Sequence, residues 1–146
     1  MLKLLAATTN PHKIKEFQKM LGDMENRVEI VSAASIRGIP DVIEDGTTFE
    51  ENAVKKVLSA SAYADMAAFA DDSGLEIEAL DGRPGVYSAR YAGEGATQAQ
   101  MMEKVLKEMG GTDRRRARFV CALALAYRGS LVATFRGEVS GTIATE

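Results

Sequence analysis

Two pairs of acidic residues in this 146-residue sequence could hold a hard metal ion: Glu44-Asp45 and Asp71-Asp72. Mg²⁺ prefers oxygen ligands, usually one or two carboxylates together with phosphate oxygens of a substrate. Asp71-Asp72 follows the short apolar run 67–70, so we expect both carboxylates at the end of a strand. Successive strand side chains point to opposite faces, so one would face the metal and its neighbour another group. The alternative is a solvated acidic turn, which Asp-Ser-Gly also favours.

A second candidate is the segment Thr8-Thr9-Asn10-Pro11-His12-Lys13. Backbone N–H groups at a helix N-terminus bind anions, and a lysine in the first turn adds a full positive charge. The segment therefore predicts a phosphate site, with an ordinary capped helix as the alternative. His12 is the only histidine, which excludes zinc sites that need two, and its place favours phosphate contact or solvent exposure over a role as general base.

Two further segments carry aromatic or basic residues. Tyr87, Arg90 and Tyr91 lie in a glycine-rich stretch, where they could stack on a ring, clamp a phosphate, pack the loop or form a subunit contact. The basic run Arg114-Arg115-Arg116-Ala117-Arg118 enters an apolar segment of an acidic chain, and this favours a solvated strand edge over a nucleic-acid patch.

Turn residues, helix caps and hydrophobic spacing predict the elements that position these residues. Strands are predicted over 2–7, 28–31, 67–70, 75–80, 117–127 and 131–138, with a further paired piece over 139–144, and residues 82–95 are predicted as a loop. Helices are predicted after the caps Asn10, Thr47 or Thr48, and Thr97, ending at Gly22, about Ala64 and Gly110. This order predicts a single α/β domain over residues 1–146, with a mixed central sheet flanked by helices.

Composition narrows the class of partner. The formal net charge of -3 argues against binding to a nucleic acid polymer, and the sequence contains no stretch of about 20 apolar residues that could cross a membrane. The single cysteine, Cys121, lies in an apolar run and is predicted to be buried in the core. A lone thiol without a disulfide framework is typical of a cytoplasmic protein.

Five motifs in order carry a resemblance to a known family. They are Thr8-Thr9-Asn10-Pro11-His12-Lys13, Glu44-Asp45-Gly46-Thr47-Thr48-Phe49-Glu50-Glu51-Asn52-Ala53, Ala70-Asp71-Asp72-Ser73-Gly74-Leu75, Gly82-Arg83-Pro84-Gly85-Val86-Tyr87-Ser88-Ala89-Arg90-Tyr91 and Arg115-Arg116-Ala117-Arg118-Phe119. Together they span essentially the whole chain, which closely resembles the inosine triphosphate pyrophosphatase-like family, also described as XTP/dITP diphosphatases.

The resemblance implies Mg²⁺-dependent hydrolysis of ITP, dITP and XTP to the monophosphate and pyrophosphate, and a homodimer. It implies substrate binding by Thr8, Thr9, Asn10, Pro11, His12, Lys13, Lys56 and Ser73. It also implies metal binding by Glu44 and Asp72, with Asp72 as the catalytic proton acceptor. Asp45 is the alternative to Glu44, and Asp71 the alternative to Asp72 as proton acceptor.

The chain departs from the family pattern at its C-terminal end. The family continues with a Gly-Phe-Gly-Tyr-Asp-Pro motif, a Lys-Asn motif and a Ser-His-Arg motif, which complete the base-recognition pocket, and none of these occurs in the sequence. We therefore expect a C-terminally truncated member that keeps the metal and phosphate half of the site. The alternative function is an inactive or weakly active nucleotide-binding remnant of the same family.

Overall fold

The computed structural model describes residues 1–24 and 26–145. Its strands are β1 (Leu2–Ala6), β2 (Val28–Ser32), β3 (Ala67–Ile77), β4 (Arg116–Tyr127) and β5 (Ser130–Thr142), and its helices are α1 (Pro11–Leu21), α2 (Phe49–Ala64) and α3 (Gln98–Met109). This confirms the α/β class with helices around a central sheet. No helix in this described part is long and apolar enough to cross a membrane.

The central sheet is mixed, as predicted. Within the described residues its strand order is β2-β1-β3-β4-β5. β1 pairs in parallel with β2 over its whole length and with β3 at Leu5 and Ala6. β3, β4 and β5 are antiparallel neighbours. The β4-β5 hairpin turns at Arg128 and Gly129, which both have positive φ, as a tight turn between twisted antiparallel strands requires.

The two faces of β3 carry different cores. Ala68 packs in a buried cluster with apolar side chains of α2. Leu75 and Ile77 pack against the buried methionines and valine of α3. The ring of Phe69 meets Phe17 of α1 edge to face, with 4.7 Å between centroids. Since successive strand residues point to opposite faces, α2 covers one face of the sheet and α1 and α3 cover parts of the other.

The helices begin at the predicted caps. The side chains of Asn10, Thr48 and Thr97 each accept a hydrogen bond from a backbone N–H in the first turn of α1, α2 and α3. Thr97 and Gln100 form the complete reciprocal capping box. α2 ends at Ala64, as its apolar stripe predicts. These boundaries are set by local hydrogen bonds, which explains why the sequence reveals them.

Strand β3 is longer than predicted. The sequence favoured separate strands over 67–70 and 75–80, with the acidic tetrapeptide at the end of the first. Instead β3 runs through Asp71-Asp72-Ser73-Gly74 to Ile77, and Glu78–Leu80 forms a 3₁₀ turn. β4 pairs with every residue of β3, so the ladder satisfies the backbone groups and overrides the local turn preference of Asp-Ser-Gly.

Two other boundaries also differ from the prediction. β5 is one strand over Ser130–Thr142, where two pieces were expected, because β4 pairs with it along its length. The predicted loop 82–95 contains a 3₁₀ helix at Gly85–Arg90. Both differences arise from tertiary pairing and packing, which local sequence signals do not record.

The prediction of a buried Cys121 is wrong. Its side chain is exposed, whereas its neighbours Val120 and Ala122 are buried. The apolar run of β4 is continuous, which is typical of a strand covered on both faces. Here the alternate residues 120, 122, 124 and 126 face the core, and Cys121 points to the opposite face of the sheet.

Gly74 lies where the segment 85–88 packs closely against β3, so a side chain at this position should destabilise the fold. A Cβ atom at this position would overlap the Gly85 carbonyl and lie 2.6 Å from Ser88 Oγ. We expect Gly74→Ala to lower the free energy of unfolding by about 1–3 kcal/mol in chemical denaturation. The control is Gly137→Ala in β5, where a Cβ meets no atom within 4 Å. Equal stability of both variants would contradict this packing.

Candidate functional site

The acidic tetrapeptide lies where β1 stops and β3 continues. β1 pairs with β3 at Ala68 and Phe69, so Asp71 and Asp72 extend past the carboxyl end of β1 while still paired with β4. From β1 the chain reaches β2 on one side and later β3 on the other. A crevice at such a switch point is the usual ligand site of an open α/β sheet. The sequence predicted that the aspartates lie at the end of their own strand. They lie instead within β3, beside the carboxyl end of its neighbour β1.

The two aspartates face opposite sides of the sheet, as strand alternation predicts. Asp71 is buried, and its Oδ2 accepts a hydrogen bond from Lys13 Nζ of α1 at 3.0 Å. Asp72 is half-buried, and its Oδ2 accepts from Asn52 Nδ2 of α2, also at 3.0 Å. One carboxylate is therefore neutralised by a lysine, while the other meets a neutral amide.

Lys56 connects the acidic groups from within α2. Its Nζ donates to the carbonyl oxygen of Asp71 and lies 2.9 Å from Oε1 of Glu44. The Glu44 carbonyl accepts from Arg90 Nη2 at 3.2 Å. The segment that precedes α2 is thus held against both the helix and the 3₁₀ segment 85–90.

Glu44 and Asp45 have different surroundings. Both side chains are exposed, but Glu44 lines the same cavity as Asp72, whereas Asp45 pairs with Lys55 and does not line that cavity. The geometry favours Glu44 over Asp45 as the carboxylate that faces a ligand.

The cavity of about 530 Å³ unites most of the candidate residues. Its polar lining residues include Thr8, Asn10, Lys13, Glu44, Lys56, Asp72 and Ser73. Thr9 lines a neighbouring cavity of about 360 Å³, to which Thr8, Glu44 and Lys56 also contribute. Pro11 and His12 form the first turn of α1 and are not among the lining residues of either cavity. The backbone N–H of His12 donates to the Asn10 side chain.

Burial and neighbouring charges shift two titratable groups here. Burial raises the pKa of the Asp72 carboxyl above its ordinary value, and nearby Glu44 adds to the increase. The hydrogen bond from Asn52 and the positive charges of Lys56 and Lys13 oppose it. Although Cys121 is exposed, partial desolvation of its thiol raises the pKa of that group, and the negative charge of Asp71 adds a smaller increase. The hydrogen-bond donor and the positive charges around Asp72 therefore partly compensate for the desolvation of its carboxylate.

The oxygen donors suit a hard divalent cation. The described residues contain no group of three or more histidine, cysteine, aspartate or glutamate side chains placed to hold a metal. Two carboxylates, Glu44 and Asp72, nevertheless line one cavity beside two lysines. Mg²⁺ is commonly bound by one or two carboxylates, and substrate phosphates complete its coordination shell. The two carboxylates in this cavity match that arrangement, in which the protein does not supply every ligand.

Neither a role for Asn52 nor the contact of Arg90 with Glu44 was predicted from the sequence. Asn52 is almost fully buried, with 1% of its surface exposed. The available signal was a polar residue four positions before Lys56, within the apolar stripe of a predicted helix. A buried amide in that position requires partners, which the sequence alone could not identify.

The arginine-rich segment forms contacts within the chain. Arg114 pairs with Glu78, and Arg118 pairs with Glu76 and Glu138. The guanidinium of Arg115 donates to several backbone carbonyls near its own strand end. These contacts agree with the rejection of a nucleic-acid patch, but the expected strand edge is wrong, because β4 pairs with β3 on one side and with β5 on the other.

Tyr91 packs on α3. Lys104 lies over its ring at 4.3 Å, and its hydroxyl donates to Glu108. Tyr91 therefore packs its own segment against α3, which is one of the roles predicted for it.

Comparison with known proteins gives consistent matches. The model of the Ham1 family matches residues 4–146. A protein named dITP/XTP pyrophosphatase from Desulfotalea psychrophila is 48% identical over 143 residues, which cover 98% of this chain and 63% of that protein. A protein of the same name from Exiguobacterium sp. is 47% identical, with coverage of 97% and 71%.

A solved structure agrees with these sequence matches. The HAM1 protein from Coxiella burnetii superposes with a TM-score of 0.89 at 37% identity, covering 100% of this chain and 75% of that one. This chain thus spans just under two thirds of the length of the Desulfotalea relative and about three quarters of the Coxiella chain. These matches confirm the resemblance carried by the five motifs, and the chain belongs to the Ham1 family.

Proposed function

We propose that this chain hydrolyses non-standard purine nucleoside triphosphates, namely ITP, dITP and XTP, to the monophosphate and pyrophosphate. One observation carries the proposal: Glu44 and Asp72 share a cavity with Lys13, Lys56 and the N-terminus of α1. Relatives named dITP/XTP pyrophosphatase, 47–48% identical to this chain, support the substrate class. House-cleaning of the nucleotide pool is the corresponding cellular role.

The lining of the cavity offers both kinds of surface that a nucleotide needs. Its polar residues include Lys13, Lys56 and the N-cap of α1, and such groups bind phosphate. Apolar side chains also line the cavity, among them Leu75, Val86, Met101 and Phe119. Such a surface suits a sugar and a flat heterocyclic base, which lose little by leaving water.

In the proposed reaction a water oxygen attacks the α-phosphorus, and the bond from that phosphorus to the bridging oxygen breaks. Pyrophosphate leaves, and the proton of the attacking water passes to the Asp72 carboxylate. The segment Thr8 to Lys13 and the side chain of Lys56 hold the leaving phosphates, and Ser73 touches the substrate. Glu44 and Asp72 would hold Mg²⁺, which supplies phosphate charge neutralisation and a lowered pKa for water.

Asp72→Asn tests the proton acceptor. Because general base catalysis typically contributes 10²–10⁴-fold, we expect kcat for ITP to fall at least about 100-fold in a pyrophosphate-release assay with Mg²⁺. Asp65→Asn is the matched control, since Asp65 is an exposed aspartate at the end of α2 that pairs with Arg128. Full activity of Asp72→Asn would show that another group accepts the proton.

The wild-type chain is assayed with ITP, XTP, dITP, GTP, ATP and UTP. Faster hydrolysis of the first three is the expected result. A nucleotide-induced increase in Tm without turnover of any substrate would contradict the enzyme and favour the nucleotide-binding alternative.

Glu44→Gln and Asp45→Asn separate the two candidate ligands of the metal. We expect Glu44→Gln to raise the Mg²⁺ concentration for half-maximal rate at least about tenfold, since even partners of metal ligands cost 10–100-fold when removed. Asp45→Asn should leave it within about twofold, because Asp45 pairs with Lys55 outside the cavity. The reverse pattern would assign the metal to Asp45.

The proposal extends to a homodimer and to a cytoplasmic location. The exposed face of β5 supports the dimer, because its side chains Phe135 and Val139 are more than half exposed. A free, exposed Cys121 supports a reducing compartment. Light scattering should give about twice the chain mass of 15.7 kDa, and the chain mass itself would contradict the dimer.

A further inference from the structure

We propose that Asn52 is a positioning residue, whose amide fixes the segment 44–46 relative to Asp72 so that both metal-binding carboxylates face one cavity. The inference rests on the proposed function, because it concerns the carboxylates that would hold Mg²⁺. Asn52 itself is not among the residues that line the cavity. It acts on a ligand through Asp72 and through the backbone next to Glu44.

Both ends of the Asn52 amide are used. Its Oδ1 accepts a hydrogen bond from the backbone N–H of Gly46 at 2.8 Å, and its Nδ2 donates to Asp72 Oδ2 at 3.0 Å. The backbone N–H can only donate and an ionised carboxylate can only accept, so the bridge needs one acceptor and one donor on a single short side chain. Asparagine meets this requirement, whereas leucine of similar size offers neither group.

The Gly46 backbone lies directly on this amide. A Cβ atom at Gly46 would be 2.7 Å from Asn52 Oδ1 and 2.8 Å from the Cβ of Glu51. The approach is therefore closer than a side chain permits. The φ angle of Gly46 is not positive, so its backbone conformation does not require glycine. The close approach to Asn52 and Glu51 is therefore the reason for glycine at this position. The segment has little freedom to move while the amide bridge is intact.

Lys56 lies one helical turn beyond Asn52, on the same side of α2. Its ammonium group pairs with the Glu44 carboxylate at 2.9 Å, while Arg90 donates to the Glu44 carbonyl at 3.2 Å. Lys56 thus supplies charge, and a flexible point charge tolerates several geometries. The buried, doubly bonded amide of Asn52 supplies the fixed geometry that a lysine does not.

The test compares Asn52→Leu with Ser61→Ala. Ser61 is a matched control, because it is also a fully buried polar residue of α2 whose hydroxyl accepts from a loop N–H, that of Gly129, at 3.0 Å. Both variants lose a buried hydrogen bond to a loop, so both should show a lower Tm. Electron paramagnetic resonance of free Mn²⁺, a substitute for Mg²⁺, measures metal affinity without turnover.

We expect Asn52→Leu to raise the Kd for Mn²⁺ about 10–100-fold, the usual cost of losing a partner of a metal ligand, and Ser61→Ala to change it less than about twofold. In the hydrolysis assay at saturating metal, Asn52→Leu should lower kcat and leave KM for ITP within about threefold. An unchanged Mn²⁺ Kd in Asn52→Leu would overturn the inference.

Gly46→Ala tests the same bridge from its other end, in the partly exposed segment that precedes α2. Its Cβ would displace the segment from Asn52, so the Mn²⁺ Kd should rise in the same direction. Unchanged affinity in this variant also counts against the inference. A wild-type chain that binds no Mn²⁺ contradicts the proposed metal site and the inference together, whereas equal binding by wild type and variants contradicts the inference alone.

Discussion

The candidate site depends on one constraint, namely that β3 continues past the end of β1 while it stays paired with β4. The extended backbone sends Asp71 towards α1 and Asp72 towards α2, and β4 prevents either from rotating away. Two adjacent carboxylates therefore acquire different partners without any special loop. Asp71 is neutralised by Lys13 and stabilises the start of α1 against the sheet. Asp72 stays free of a direct lysine contact in the described structure, which leaves it suited to bind a cation or accept a proton.

Burial and charge compensation are balanced around this strand. A carboxylate loses solvation when it is half-buried, and the raised pKa of Asp72 reflects that cost. The cost is offset by the amide of Asn52 and by the more distant charges of Lys56 and Lys13. A direct ion pair at Asp72 would compete with a divalent cation for the same oxygens, as the Lys56 ammonium does at Glu44. A neutral hydrogen-bond donor orients the carboxylate and leaves its charge for the ligand.

Local hydrogen bonds made part of this structure predictable from sequence. Asn10, Thr48 and Thr97 begin helices because their side chains bond to backbone groups two or three residues away. The family motifs likewise identified most of the residues that line the cavity. The continuity of β3, the exposure of Cys121 and the hydrogen bond from Asn52 to Asp72 depend on partners 20 or more positions distant. A single sequence contains no record of such pairing, so local preferences gave the wrong strand boundary.

Net charge is a poor guide to what this acidic chain can bind. Its formal charge is -3, yet two lysines and the N-cap of α1 line the cavity. Many of the arginines are already paired, since Arg118 and Arg136 bond to glutamates on neighbouring strands and on α2. Interactions between exposed charges decay over about 8–10 Å at physiological ionic strength. Lys13 and Lys56 are also paired, with Asp71 and Glu44, but both of them line the cavity. The proposed triphosphate substrate would therefore meet these two cations, and their position matters more than the total charge of the chain.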